Sequence, residues 1–156
     1  NIHGGGAYGD KPAALERLSQ AIERLPATVR QKLTLENDDR TYTPQDLLPV
    51  CHATGVPLVY DVHHHRCLPD GVSETAATEH TKATWNREPL FHLSSPAAGW
   101  ENNNNPRPHH DFIDPADIPR VWRHLDRQVT VEVEAKAKEL AVLSLKRDYL
   151  AMADTQ

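Results

Sequence analysis

Short runs of branched and aromatic residues alternate with longer segments of helical period along this chain, and each run delivers an acid or a histidine at its C-terminal end. Leu33-Thr34-Leu35-Glu36, Pro57-Leu58-Val59-Tyr60-Asp61, Leu90-Phe91-His92-Leu93 and Val129-Thr130-Val131-Glu132-Val133 read as strands. Leu15, Leu18, Ile22 and Leu25 share one helical face over residues 11–26. A second helix opens at Thr43-Pro44-Gln45-Asp46, where Thr suits the cap, Pro the first turn and an acid the helix dipole, and it stops at Gly55. A weaker helix is expected over 73–85 behind Ser73. Asp114-Pro115-Ala116-Asp117 repeats the cap chemistry ahead of Ile118, Val121, Trp122 and Leu125, which share a face, and a final helix is expected from Ala135 to Met152. Gly99 to Pro108, with its four consecutive Asn, reads as a loop. Strands alternating with helices predict an α/β protein built on a parallel sheet.

The 156 residues match one ordinary domain, and no linker divides them. With 38% apolar and 25% charged residues, the chain is expected to be globular, not disordered. No run approaches the ~20 apolar residues that cross a bilayer, and no basic-then-apolar leader opens the chain, so no membrane partner is expected. Cys51 and Cys67 form no CxxC, and two cysteines do not make a disulfide scaffold, which favours the reducing cytoplasm. A net charge of −5 makes no case for nucleic acid by itself. Bound divalent ions would reverse a local acidic field, so phosphate substrates stay open.

The chemistry lies where the strands end. Glu36 closes the first, Asp61 the second with His63-His64-His65 behind it, His92 marks the third, and Glu134 follows the fourth. In parallel α/β folds that edge is where ligands bind. The separations of 25 residues from Glu36 to Asp61, 31 to His92 and 42 to Glu134 suit successive strand–helix units. The longest includes the Asn-rich loop and His109. Asn1-Ile2-His3 looks like the end of a further strand, which puts His3 in the same ring. Mixed imidazole and carboxylate donors suit Mn²⁺, Zn²⁺ or Fe²⁺ better than Mg²⁺ or Ca²⁺. Seven donors exceed the needs of one ion, so two or three are expected, as in nucleases that activate water and neutralise a phosphoryl oxygen. Each residue alone has a plain alternative: a solvated loop for Asp61 and His64, a surface strand position for Glu134. Glu132 and Glu134 share a strand face, and one of them can be structural. Arg66 and Lys136 follow ligand positions and are candidate phosphate contacts, with a solvated role an equal alternative.

These stretches resemble the UV damage endonucleases, metal-dependent DNA repair enzymes with a TIM barrel related to endonuclease IV. The resemblance is carried by Ile2-His3-Gly4-Gly5-Gly6 with Tyr8-Gly9-Asp10-Lys11, Leu33–Asp39, Tyr42 with Asp46–Pro49, and Gly55–His65. His92–Pro96, His109–Ile113 and Glu134–Glu139 complete it. It implies metal ligation by His3, Glu36, Asp61, His64, His92, His109 and Glu134, with Mn²⁺ the first choice and Zn²⁺ or Mg²⁺ the alternatives. It implies incision of double-stranded DNA immediately 5′ to a cyclobutane pyrimidine dimer or 6-4 photoproduct, with Glu134 and Glu36 orienting the metals and the attacking water. It also implies that residues 1–156 are the C-terminal half of a (β/α)8 barrel, of the endonuclease IV and xylose isomerase kind. A closed barrel of that type needs about 250 residues. The chain is therefore expected to be a piece of a longer protein, or to associate with another copy. A sugar isomerase-like enzyme on the same scaffold, and a metal- or DNA-binding piece without turnover, are the competing readings.

Overall fold

The computed structural model describes residues 1–101 and 105–153. Residues 102–104 of the expected Asn-rich loop lie outside the described residues. Among these residues, five strands form one sheet, β1 (Ile2–His3), β2 (Leu35–Glu36), β3 (Leu58–Asp61), β4 (Leu90–Leu93) and β5 (Thr130–Val133), in sequence order and parallel at every pairing. This is the expected α/β arrangement, including the strand at His3.

Among the described residues, six helices connect or flank the strands: α1 (Lys11–Glu23), α2 (Ala27–Arg30), α3 (Pro44–Thr54), α4 (Val62–Cys67), α5 (Glu74–Ala83) and α6 (Glu139–Ala153). The signals at α3 are realised in full. Thr43 accepts a hydrogen bond from the Asp46 amide, Asp46 accepts one from the Thr43 amide, and Gly55 ends the helix at φ 70°, where a side chain would be strained. Ser73 likewise caps α5 through the Ala76 amide.

Three segments differ from expectation, each for a local reason. The His63-His64-His65 stretch behind β3, for which no helix was expected, lies in α4, because Asp61 acts as its N-cap and accepts from the His64 amide at 2.8 Å. The helix expected after Asp114 is instead two 3₁₀ turns, Pro115–Asp117 and Arg120–His124, since Pro119 has no N–H to continue a helical ladder. Its apolar stripe survives, with Ile118, Trp122 and Leu125 still packed on the core. The last helix starts at Glu139 and not Ala135, because Lys136 and Ala137 turn their amides to the carbonyls of His110 and Asp111.

Strand alternation divides two environments. Leu58 and Tyr60 of β3 and Phe91 and Leu93 of β4 are fully or almost fully buried in the core against the helices. Tyr60 meets Phe91 edge-on at 6.1 Å, and Trp122 stacks on Phe91 at 5.1 Å. The alternate positions face the other way, and the register aligns them: His3 pairs with Glu36, and Asp61 with His92, which pairs in turn with Glu132. The two outer strands, β1 and β5, are largely exposed.

Candidate metal centre

Glu36 is the hub. It is buried at the end of β2, and its carboxylate meets imidazoles from three directions. His3 Nε2 lies 3.2 Å from Oε2, while His92 Nδ1 lies 2.9 Å and His64 Nδ1 3.6 Å from Oε1. The Asn1 side chain also donates to Oε2. On the far side, His92 Nδ1 lies 3.3 Å from Glu134 Oε1, and His109 Nδ1 lies 3.8 Å from Glu134 Oε2. His3, Glu36 and His64 form one potential ligand group; Glu36, Asp61, His92 and Glu134 form a second. In each, one donor atom per residue lies within 4.8 Å of every other. The two groups share Glu36. Six of the seven ligand candidates are therefore brought together among the described residues; His109 stands outside both groups, beside Glu134 and in ring contact with His63 and His64.

The local chain explains the placement. Asp61 uses Oδ1 to cap α4, which points His64 back at the sheet, and leaves Oδ2 buried 3.3 Å from His64 Nδ1. Asn37 holds the ends of β2 and β3 in step. Its amide donates to the Asp61 carbonyl at 2.8 Å, and its oxygen accepts from the Asp61 amide at 3.0 Å. His64 Nδ1 is also 3.0 Å from the Asn37 carbonyl.

Charges are strongly perturbed. Burial opposes ionisation of Glu36, but hydrogen bonds from His3 and His92 override it and hold the carboxyl well below its usual range. Burial likewise opposes protonation of His92, yet Glu134 and Glu36 together push it up to about 10. Asp61 is raised by burial against the pull of His64. His92 lowers Glu134, and Glu36 raises His3. Asp61 Oδ2 has no hydrogen-bond partner among the described residues. A buried carboxylate oxygen with no donor is costly unless a cation meets it. With mixed oxygen and imidazole donors around it, the group fits a divalent ion.

The two phosphate candidates part company. Lys136 is exposed and lines a recess of about 660 Å³ with His109, Glu134 and Lys138. Arg66 faces elsewhere: its Nε lies 2.7 Å from Glu74, its Nη1 bonds the Asp117 carbonyl at 3.0 Å, and its guanidinium covers Trp100. Cys51 and Cys67 are free thiols pushed up by burial to about 12 and about 11, so neither is a ready nucleophile.

Sequence reasoning passed over Asn37 and His63. Asn37 sits next to Glu36 in an acidic run, with nothing local to reveal its contact 24 residues away. His63 is fully buried, its ring packed 5.1 Å from both Trp100 and His109 and set against the backbone of Ser94 and Arg107. Burial holds it neutral, down to about 4, with His109 and His64 adding to the effect. Three consecutive histidines offered no signal to separate the buried ones, His63 and His65, from His64 at the ligand group.

The model of the UV-endonuclease UvdE family matches residues 1–155. The chain belongs to that family. Similar proteins include those named UV DNA damage endonuclease from Bacillus velezensis (38% identity) and Bacillus pumilus (39%). Each alignment covers 97% of this chain and 48% of the relative. The crystal structure of SacUVDE superposes with a TM-score of 0.84 at 27% identity, over 97% of this chain and 51% of that one. The chain thus spans about half the length of the relatives it matches, and its parallel strands, side by side in sequence order, are consistent with an open portion of a barrel. No helix among the described residues is long and apolar enough to cross a membrane.

Proposed function

We propose that residues 1–156 are the C-terminal portion of a TIM-barrel catalytic domain, and that this portion carries the metal centre of a DNA repair endonuclease. The single observation behind this reading is the convergence of Glu36, Asp61, His92 and Glu134 within 4.8 Å in a UvdE-family chain. The substrate is double-stranded DNA holding a cyclobutane pyrimidine dimer or 6-4 photoproduct, and the strand is cut immediately 5′ to the lesion.

Two or three divalent ions, Mn²⁺ before Zn²⁺ or Mg²⁺, would supply water activation and neutralise the phosphoryl oxygens. The chain's own part is positioning and charge. Glu36 would join the two ligand groups. His3 and His64 would hold one side, and Asp61, His92 and Glu134 the other, with His109 steadying Glu134. Loading the centre must displace the proton that His92 shares with Glu36 and Glu134. The exposed Lys136 is the better candidate for a backbone phosphate, since Arg66 is already paired.

The test is to incubate the chain with Mn²⁺ and an end-labelled duplex containing one cyclobutane dimer, beside an undamaged duplex and Glu134→Ala. A nick directly 5′ to the dimer, lost in the variant, is the expected result. A second reading is favoured by the half-length match and the open strands β1 and β5: a half-site that binds metal or DNA without turnover, or that acts only after association with another copy or with a preceding half. No nick from this chain, and a nick after the preceding half of a relative is restored, would select it. Failure of the completed protein to nick would end the endonuclease reading.

A further inference from the structure

His92 has two ring nitrogens that face opposite ways, and the metal centre accounts for only one. Nδ1 lies between Glu36 Oε1 and Glu134 Oε1, at 2.9 and 3.3 Å. Nε2 is buried and makes no hydrogen bond among the described residues. Its nearest recorded carboxylate oxygen is Oε2 of Glu132, at 3.6 Å. The sheet places it there: Glu132 is the register partner of His92 across the β4–β5 pairing. The Glu132 side chain is 60% exposed, and no other ion pair or hydrogen bond engages it among the described residues. It also stands outside the group of four whose donor atoms converge.

An imidazole that gives one nitrogen to a metal keeps its proton on the other, and that N–H needs an acceptor. Left buried without one, it costs free energy and lets the ring adopt the wrong tautomer. We propose that Glu132 is a positioning residue, which accepts the Nε2–H of His92 and so holds Nδ1 toward the metal centre. The inference rests on the metal reading above. Contact needs Oε2 to move by a little over half an ångström from 3.6 Å to ordinary hydrogen-bond length, and an exposed glutamate on an outer strand has the rotamer freedom to do so. The same relationship resolves the paired acids of β5 and its exit. Glu134 faces the ligands, and Glu132 faces the back of the histidine that serves them.

The experiment is a Zn²⁺ titration of the ¹⁵N-histidine-labelled chain and of Glu132→Ala and Glu132→Gln. Affinity is read by calorimetry, and the His92 ring protons are read by NMR. The expected result has three parts. Zn²⁺ removes the Nδ1 proton of His92 and leaves a slowly exchanging Nε2–H. Glu132→Ala weakens Zn²⁺ binding by about ten- to hundredfold. Glu132→Gln recovers part of that loss, because an amide oxygen still accepts. Unchanged affinity in Glu132→Ala overturns the proposal. So does equal loss in Ala and Gln, which would mark a bulk charge effect. Loss of the Nε2 proton on loading would make Glu132 a neighbour of the ligating nitrogen and overturn it also. A parent chain that binds no Zn²⁺ or Mn²⁺ would sink the metal reading itself, and this inference with it.

Discussion

Asn37 and Asp61 exchange two hydrogen bonds, side chain to backbone, of 2.8 and 3.0 Å. The pair extends the β2–β3 ladder one step past Glu36, using an amide side chain where a third backbone pair would stand. It holds the strand ends that carry Glu36 and Asp61 at a fixed spacing. Asn37 is fully buried, so its loss leaves an unpaired N–H and C=O on Asp61. Asn37→Ala should destabilise the fold by about 2–4 kcal/mol, from two buried groups at about 1–2 each. Asn37→Asp should be no better than Ala, because a carboxylate cannot donate to the Asp61 carbonyl. Urea unfolding of the three proteins checks both statements, and equal stability of Asn37→Asp and the parent would refute the bond assignment.

The His92–Glu36 pair sets a pH window for the metal-free protein. His92 is raised from an ordinary 6.5 to about 10, so its contribution is complete below pH 6.5 and fades as pH rises toward 10. Glu36 is lowered from 4.5, so its contribution is complete above that value and fades as pH falls. The metal-free melting temperature should therefore be highest near pH 6.5: above it the His92 contribution fades, and below it the unfolded chain takes up a proton that buried His63, lowered to about 4, refuses. His92→Gln should remove most of the alkaline slope; His3, raised by its own bond to Glu36, leaves a smaller remainder. Calorimetric scans across pH, with chelator present, decide the matter. A slope unchanged in His92→Gln would show that the ring carries no extra proton.

Much of this site was legible because its signals are local. An acid or imidazole at the end of each strand, at spacings that fit one repeat unit, identifies Glu36, Asp61, His92 and Glu134 as one layer before any coordinates. The caps at Thr43 and Ser73 and the stop at Gly55 are equally short-range, and they came out as read. What escaped depends on competition or distance. Asp61 reads as a strand-end acid, yet the same carboxylate caps α4 and turns the histidine run into a helix. Pro119 silently outweighs an apolar stripe of good helical period. Asn37 and Glu132 matter through partners 24 and 40 residues away, which neither periodicity nor composition encodes. Arg66 looks like a phosphate contact in sequence, but Glu74 and Asp117 claim its guanidinium once the chain is folded.

Helix α3 provides a perturbation that should spare the metal centre. Thr43→Ala removes the acceptor for the Asp46 amide, which should cost about 1 kcal/mol. Gly55→Ala meets no atom within 4 Å but must hold φ near 70°, so its cost of about 1 kcal/mol is backbone strain alone. Both variants should lose a few degrees of melting temperature and keep the parent's Mn²⁺ affinity. Loss of affinity in either would mean that the ligand group is tied to α3 more closely than the contacts indicate.

Asp61 should separate stability from metal binding in the opposite sense. Its Oδ1 caps α4 and would survive in asparagine, while Oδ2 is buried without a hydrogen bond beside two further carboxylates, Glu36 and Glu134. Burial and like charge raise its pKa, so its ionised form is disfavoured in the metal-free protein. Asp61→Asn replaces that oxygen with an N–H donor that can meet a neighbouring carboxylate. The metal-free variant should melt above the parent by about 2–4 °C for each kcal/mol relieved. The same change removes a charged candidate ligand from the group of four, so Mn²⁺, expected to raise the melting temperature of the parent, should no longer raise that of the variant. Thermal melts with and without Mn²⁺ read both effects in one series. A variant that melts lower than the parent without metal would show that Asp61 holds the fold together rather than the ion.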